Sequence, residues 1–191
     1  MARPKSDSRE KILCRAHLLL CRQGFKGTGL AQIIEESGAP RGSVYYLFPG
    51  GKEEIAVEAV RIATADSVAF IDATRQASRT ARQWVTALLE NCSRNLQDSG
   101  FTEGMPITTV TLDSVPGSTA LSTVCREGYQ SLVSALQKGL EGYGVSSPEQ
   151  ARGLATLLLC ALEGAMILAR AHQSLDPFQQ IMPHLLPLLP E

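Results

Sequence analysis

Apolar residues recur at helical spacing along almost the whole chain, and no stretch alternates in the manner of a half-buried strand. Ile12, Leu13, Ala16, Leu19 and Leu20 form one stripe, which ends near Gly24. A short second helix turns Leu30, Ile33 and Ile34 inward and stops at Gly38, and a third runs from about Pro40 to Phe48. Pro49, Gly50 and Gly51 then break the chain. A long helix follows from Lys52 to about Ala77, with Gly51 as its N-cap. Glu53 and Glu54 fall in its first turn, where the helix dipole favours acids.

Trp84, Val85, Leu88, Leu89, Cys92 and Leu96 mark the next apolar face. Residues 100–117 are rich in Gly, Pro and Thr and predict at most a short helix around Ile107–Leu112. Leu121, Val124, Cys125, Leu132, Ala135 and Leu136 mark another helix, ending in the glycines of LEGYG. Ser147-Pro148-Glu149-Gln150 and Asp176-Pro177-Phe178-Gln179 both read as capping boxes with proline at the first helical position. The helix between them, about 148–172, is apolar almost all round and must be covered on every side. In so small a protein a second copy is the expected cover. Gly153, Ala161, Gly164, Ala165 and Ala169 would let another helix come close. The alternative is a central core helix of a monomer. The pattern therefore predicts an all-α chain of about nine helices.

Composition narrows the class. At 191 residues and 44% apolar, the chain can fold one core, or a small module joined to a larger one. No apolar run reaches ~18 residues without a charged or polar interruption, so no membrane span is expected. The polar start MARPKSDSREK lacks the apolar core of a secretory signal. Cys14, Cys21, Cys92, Cys125 and Cys160 are odd in number and scattered through helical patterns, which predicts reduced, buried thiols in a cytoplasmic protein. Residues 1–52 carry nine Lys/Arg against four Asp/Glu, and the remainder nine against fifteen. A basic end on an acidic body suits a one-ended nucleic-acid binder.

The chemistry concentrates between Thr28 and Lys52, in TGLAQIIEESGAPRGSVYYLFPGGK. Two short helices about a tight turn offer the second helix to a major groove. Thr28 or Gly29 caps the second helix, and a threonine hydroxyl there can accept from a helix N–H and lie against a phosphate. Gly38 can supply the left-handed turn. Arg41, Gly42 and Ser43 occupy the first turn of the third helix. Arg41 either reads a guanine edge or meets a phosphate, and Ser43 can bond either. Val44 and Phe48 are core candidates. Lys52 and the N–H groups of the long helix would together attract a phosphate, and Arg3 and Lys5 could form a basic arm.

The segment GFKGTGLAQIIEESGAPRGSVYYLFPGGKEEI resembles the N-terminal domain of the TetR family of bacterial repressors. The glycine before the second helix, Gly38, the pair Tyr45-Tyr46, Phe48 and the KEE opening of the fourth helix all fall in register. The spelling YLFPGGKEE is similar to the branch of lincomycin- and flavonoid-responsive repressors (LmrA/YxaF-like). The resemblance implies that Tyr45 and Tyr46 reach toward DNA, although either ring could instead pack inside the small domain. Leu47 stands where many members carry histidine, and Gly29 where a second hydroxyl is common. It implies a helix-turn-helix domain over 1–51 and a helical ligand-binding and dimerisation domain over 52–191. The expected partners are an operator in double-stranded DNA, a second copy through about 148–172 and 177–188, and a small hydrophobic or aromatic inducer. No cofactor, metal or membrane is expected.

Phe70, Trp84, Leu88, Met105, Tyr129, Met166 and His172 supply surface that could line an inducer cavity or serve as ordinary core. Glu163 interrupts an apolar helix, and a buried carboxylate is costly unless paired. An enzyme is the contrasting class, but the chain has no G-x-S-x-G elbow, phosphate loop, H-E-x-x-H or C-x-x-C. The histidines His17, His172 and His184 are too dispersed for a metal site. A thiol-based redox sensor is the other alternative, although Cys14 and Cys21 lie two turns apart, too far for a bridge.

Overall fold

The computed structural model describes residues 5–190, with side chains from residue 8 onward. Arg3 and the side chain of Lys5 lie outside that range. Among the described residues there are nine α-helices and one 3-10 turn, and no strand. They are α1 (Lys5–Gly27), α2 (Leu30–Ser37), α3 (Arg41–Leu47), α4 (Gly51–Ala77) and α5 (Ala81–Asp98). The chain continues through α6 (Pro106–Ser114), α7 (Thr119–Gly142), α8 (Pro148–His172) and α9 (Asp176–Leu185), and the 3-10 turn spans Leu186–Leu188.

Packing divides the chain into two compact units. The first runs through Thr64 and takes in Met105–Gly128; the second is Ala65–Gly104 with Tyr129 onward. In the first unit the whole predicted stripe of α1 is buried, together with Ile33, Val44, Phe48, Ile55 and Val60. Thus α1 packs on α2, α3 and α6 through one face. Arg9 of α1 pairs with Glu58 of α4, while its guanidinium lies 5.6 Å from the centre of the Phe48 ring. At the start of α4, Glu54 accepts a 2.7 Å hydrogen bond from the Gly50 N–H and so closes the PGG turn.

In the second unit Trp84 is the keystone. It is fully buried, and its indole N–H donates to the Ile71 carbonyl at 3.1 Å. Gly139 of α7 passes so close that any Cβ there would overlap the ring. Tyr143 stacks at a tilt of 39°, its ring centre 5.7 Å away, with its hydroxyl 2.9 Å from the Arg75 carbonyl. An indole buried this fully contributes about 3–5 kcal/mol relative to alanine.

Two expectations need revision. Ser147 caps α8 as predicted, accepting from the Gln150 N–H at 3.3 Å. Asp176 does not repeat the design: it is already inside α9, the cap residue is Leu175, and the Ser174 hydroxyl accepts from the Asp176 N–H. The cysteines are not uniformly buried, because Cys14 and Cys160 lie on outward helix faces. The short helix expected around Ile107–Leu112 is present as α6 and starts at Pro106, where proline costs no helical hydrogen bond.

Helix α8 is long and apolar enough, by length and composition alone, to cross a membrane, with a mean hydropathy of 1.8 over its best window. That average tolerates Glu163, which interrupts the apolar run. Leu157, Ile167 and Leu168 of this helix are exposed, as is Cys160 between them.

Candidate nucleic-acid interface

The turn between α2 and α3 is built by Gly38. Its φ of 63° and ψ of 13° are left-handed, and its N–H closes on the Glu35 carbonyl at 3.2 Å. A side chain there would be strained, so glycine is the residue the turn needs. Ser37 supports the exit, its hydroxyl accepting from the Ala39 N–H. Pro40 caps α3, and its carbonyl accepts from the Ser43 and Val44 N–H groups at 2.8 and 3.3 Å.

On so short a helix each residue has one direction. Val44 points into the core with no exposed surface, and Phe48 closes the end of the helix equally buried. Arg41, Gly42, Tyr45 and Tyr46 face outward, and Ser43 is half-buried beside them. Tyr46 is 71% exposed and Tyr45 50%, so neither ring is part of the small core. Two adjacent exposed tyrosines present aromatic faces and hydroxyls that a partner can engage.

The Thr28 side chain is placed differently from the sequence expectation, while Lys52 stands at the start of α4 as expected. Of the two expected caps, Gly29 is the N-cap of α2, and no side chain bonds there. Thr28 is buried, and its hydroxyl donates to the Gly24 carbonyl at 2.6 Å. It braces the entry to α2 from within. The Lys52 ammonium donates to the Phe25 carbonyl at 2.9 Å and sits 4.0 Å from the centre of the Phe25 ring. That clamp ties α4 to the end of α1 while leaving the cation half-buried.

The candidate inducer residues differ in burial. Trp84 and Leu88 are core of the second unit, Phe70 and His172 are exposed, and Tyr129 and Met166 are half-buried. Met105 belongs to the first unit, at the N-cap of α6. Glu163 is half-buried and near enough to Cys92 to act on it electrostatically. Burial first, and the Glu163 carboxylate second, push the Cys92 thiol up to about 11. Burial also raises Cys125, against a lowering hydrogen bond from Thr111. A redox-reactive thiol needs the opposite shift.

Sequence reasoning missed the contacts that α6 makes. Thr109 donates to the Leu20 carbonyl at 2.7 Å, and Asp113 accepts from the Lys26 N–H at 2.8 Å. Partners nearly ninety residues apart leave no periodic signature.

Comparison with known proteins agrees with this geometry. Residues 12–59 match the family described as bacterial regulatory proteins, tetR family. Residues 81–184 match the C-terminal domain of LmrA/YxaF-like transcriptional regulators. The HTH-type transcriptional regulator LmrA of Bacillus subtilis is 35% identical over 175 residues, covering 92% of this chain and 93% of that protein. The uncharacterized regulator YxaF of the same organism is 32% identical over 173 residues, covering 91% and 90%. Among solved structures, the TetR-family regulator CifR, complexed with a 26-base-pair operator, superposes with a TM-score of 0.82. It is 19% identical and is covered over its full length by 99% of this chain, a likeness of fold. The chain belongs to the TetR family of DNA-binding transcriptional regulators and carries an LmrA/YxaF-like C-terminal domain.

Proposed function

We propose that the protein is a homodimeric repressor, working in the cytoplasm, that binds a palindromic operator and leaves it when a small hydrophobic or aromatic inducer binds the C-terminal domain. The observation that carries the DNA-reading part is the outward face of α3, where Arg41, Gly42, Tyr45 and Tyr46 are all exposed around buried Val44. Arg41 and Ser43 then meet base edges or phosphates, and the tyrosines supply thymine-methyl and phosphate contacts. Thr28, Gly29 and Lys52 support the reader; of these only Gly29 is exposed, at the N-cap of α2.

Dimerisation is supported by α8, whose exposed Leu157, Ile167 and Leu168 would be buried against the same helix of a second copy, with α9 alongside. Two readers so joined would enter major grooves about 34–36 Å apart, one turn of DNA. An inducer that prefers another reader separation weakens binding by its differential affinity for the two arrangements.

Selection from a randomised duplex pool with the full-length protein should yield a palindromic site. Arg41→Ala and Tyr46→Ala should each lower affinity for that site at least tenfold without altering helix content or the oligomeric state. Full affinity in both variants would remove α3 from the reading role.

A further inference from the structure

Helix α1 does not end cleanly. At Gly24 the backbone turns left-handed (φ 69°, ψ −173°) before a last helical turn reaches Gly27. The break removes helical acceptors from the N–H groups just beyond it, which must find others. The carbonyls and N–H groups of residues 24–28 are taken up from several directions. Thr28 donates back to Gly24, and Lys52 of α4 donates to Phe25. Asp113 of α6 accepts from the Lys26 N–H. A Cβ on Gly24 would lie 2.5 Å from the Asp113 carboxylate, so the carboxylate fills the space that only glycine leaves. Ser114 donates to the other carboxylate oxygen, and Thr109, one turn earlier, is bonded to the Leu20 carbonyl.

We propose that Asp113 is a positioning residue for DNA reading: its carboxylate latches α6 to the kink of α1 and thereby fixes the angle at which α2 and α3 leave it. The inference rests on the DNA-reading role of α3 proposed above. An acid at this spot works against phosphate binding through space, because it adds negative charge to the unit that carries the reader. Electrostatics and the latch therefore predict opposite signs for its removal. Without Asp113 the repulsion falls and DNA binding should tighten; without the latch the reader loses its set angle and binding should weaken.

The test uses the full-length protein and the DNA site it selects. Asp113→Ala should weaken binding at least tenfold and speed hydrogen exchange of the Lys26 amide, while exchange in the middle of α1 stays unchanged. Asp113→Asn loses the charge but keeps an acceptor oxygen, and should bind within threefold of the unsubstituted protein. If the alanine variant does not fold, Asp113→Ser, polar but too short to reach Lys26, takes its place. Equal or tighter binding by Asp113→Ala or Asp113→Ser, or an unchanged Lys26 amide, would overturn the latch. Failure of the unsubstituted protein to select any DNA would instead sink the reading role itself.

Discussion

The sharpest contrasts in this protein are between adjacent residues. On α3, Val44 is sealed in the core while Tyr45 and Tyr46 stand in solvent. No average property of the segment separates them; only the helical period does. The same resolution applies to the thiols. Cys92 is held neutral by burial and by Glu163, with its ordinary value near 9 raised to about 11. Well below pH 9 both the folded and unfolded chains keep this thiol protonated, so it adds no pH dependence there. Between pH 9 and 11 the unfolded chain ionises first, and stability should fall over that window. Replacing Cys92 with alanine should flatten that part of the profile, as followed by urea midpoints at stepped pH. A profile that keeps its slope without Cys92 would assign the loss to other groups. In an alkylation time course at pH 8, Cys14 should react well before Cys92 and Cys125.

At the scale of elements, α8 carries the strongest expectation. A Cβ added at Gly164 meets nothing within 4 Å in the protomer. Gly164→Leu should therefore leave the single chain folded, yet obstruct a close helix pairing. Light scattering should find a monomer of normal helix content; a persistent dimer would move the seam away from α8. Sequence made most elements legible: the stripes of α1, α5 and α7 and the Gly38 turn follow from local periodicity and local backbone need. It failed where local rules were outweighed. Asp176 looks like a cap, but the helix starts one residue earlier, with Leu175 as its cap and the Ser174 hydroxyl accepting from the Asp176 N–H. Thr28 looks like a phosphate contact, but the kink at Gly24 supplies an acceptor that draws its hydroxyl inside. The attachment of α6 to α1 depends on residues far apart in sequence, within a Gly/Pro/Thr-rich stretch that gives little periodic pattern.

For the whole molecule, charge and packing make one argument. The first 52 residues hold an excess of five basic groups on a chain whose net charge is −1. Operator binding should then weaken steeply with salt. One phosphate neutralised per protomer gives a dimer a slope of log K against log salt of about −2, and further contacts steepen it. A flat dependence between 50 and 200 mM salt would contradict phosphate anchoring. The close passage of Gly139 over Trp84 has a consequence for observation as well. This indole is the chain's single tryptophan, it is fully buried, and it lies in the unit without the reader. Tryptophan fluorescence, excited at wavelengths where tyrosine does not absorb, is thus a private reporter of that unit's unfolding, whereas circular dichroism sums over both. If the two units melt separately, the two optical transitions will part, and the gap between them will measure how cooperatively the molecule holds together.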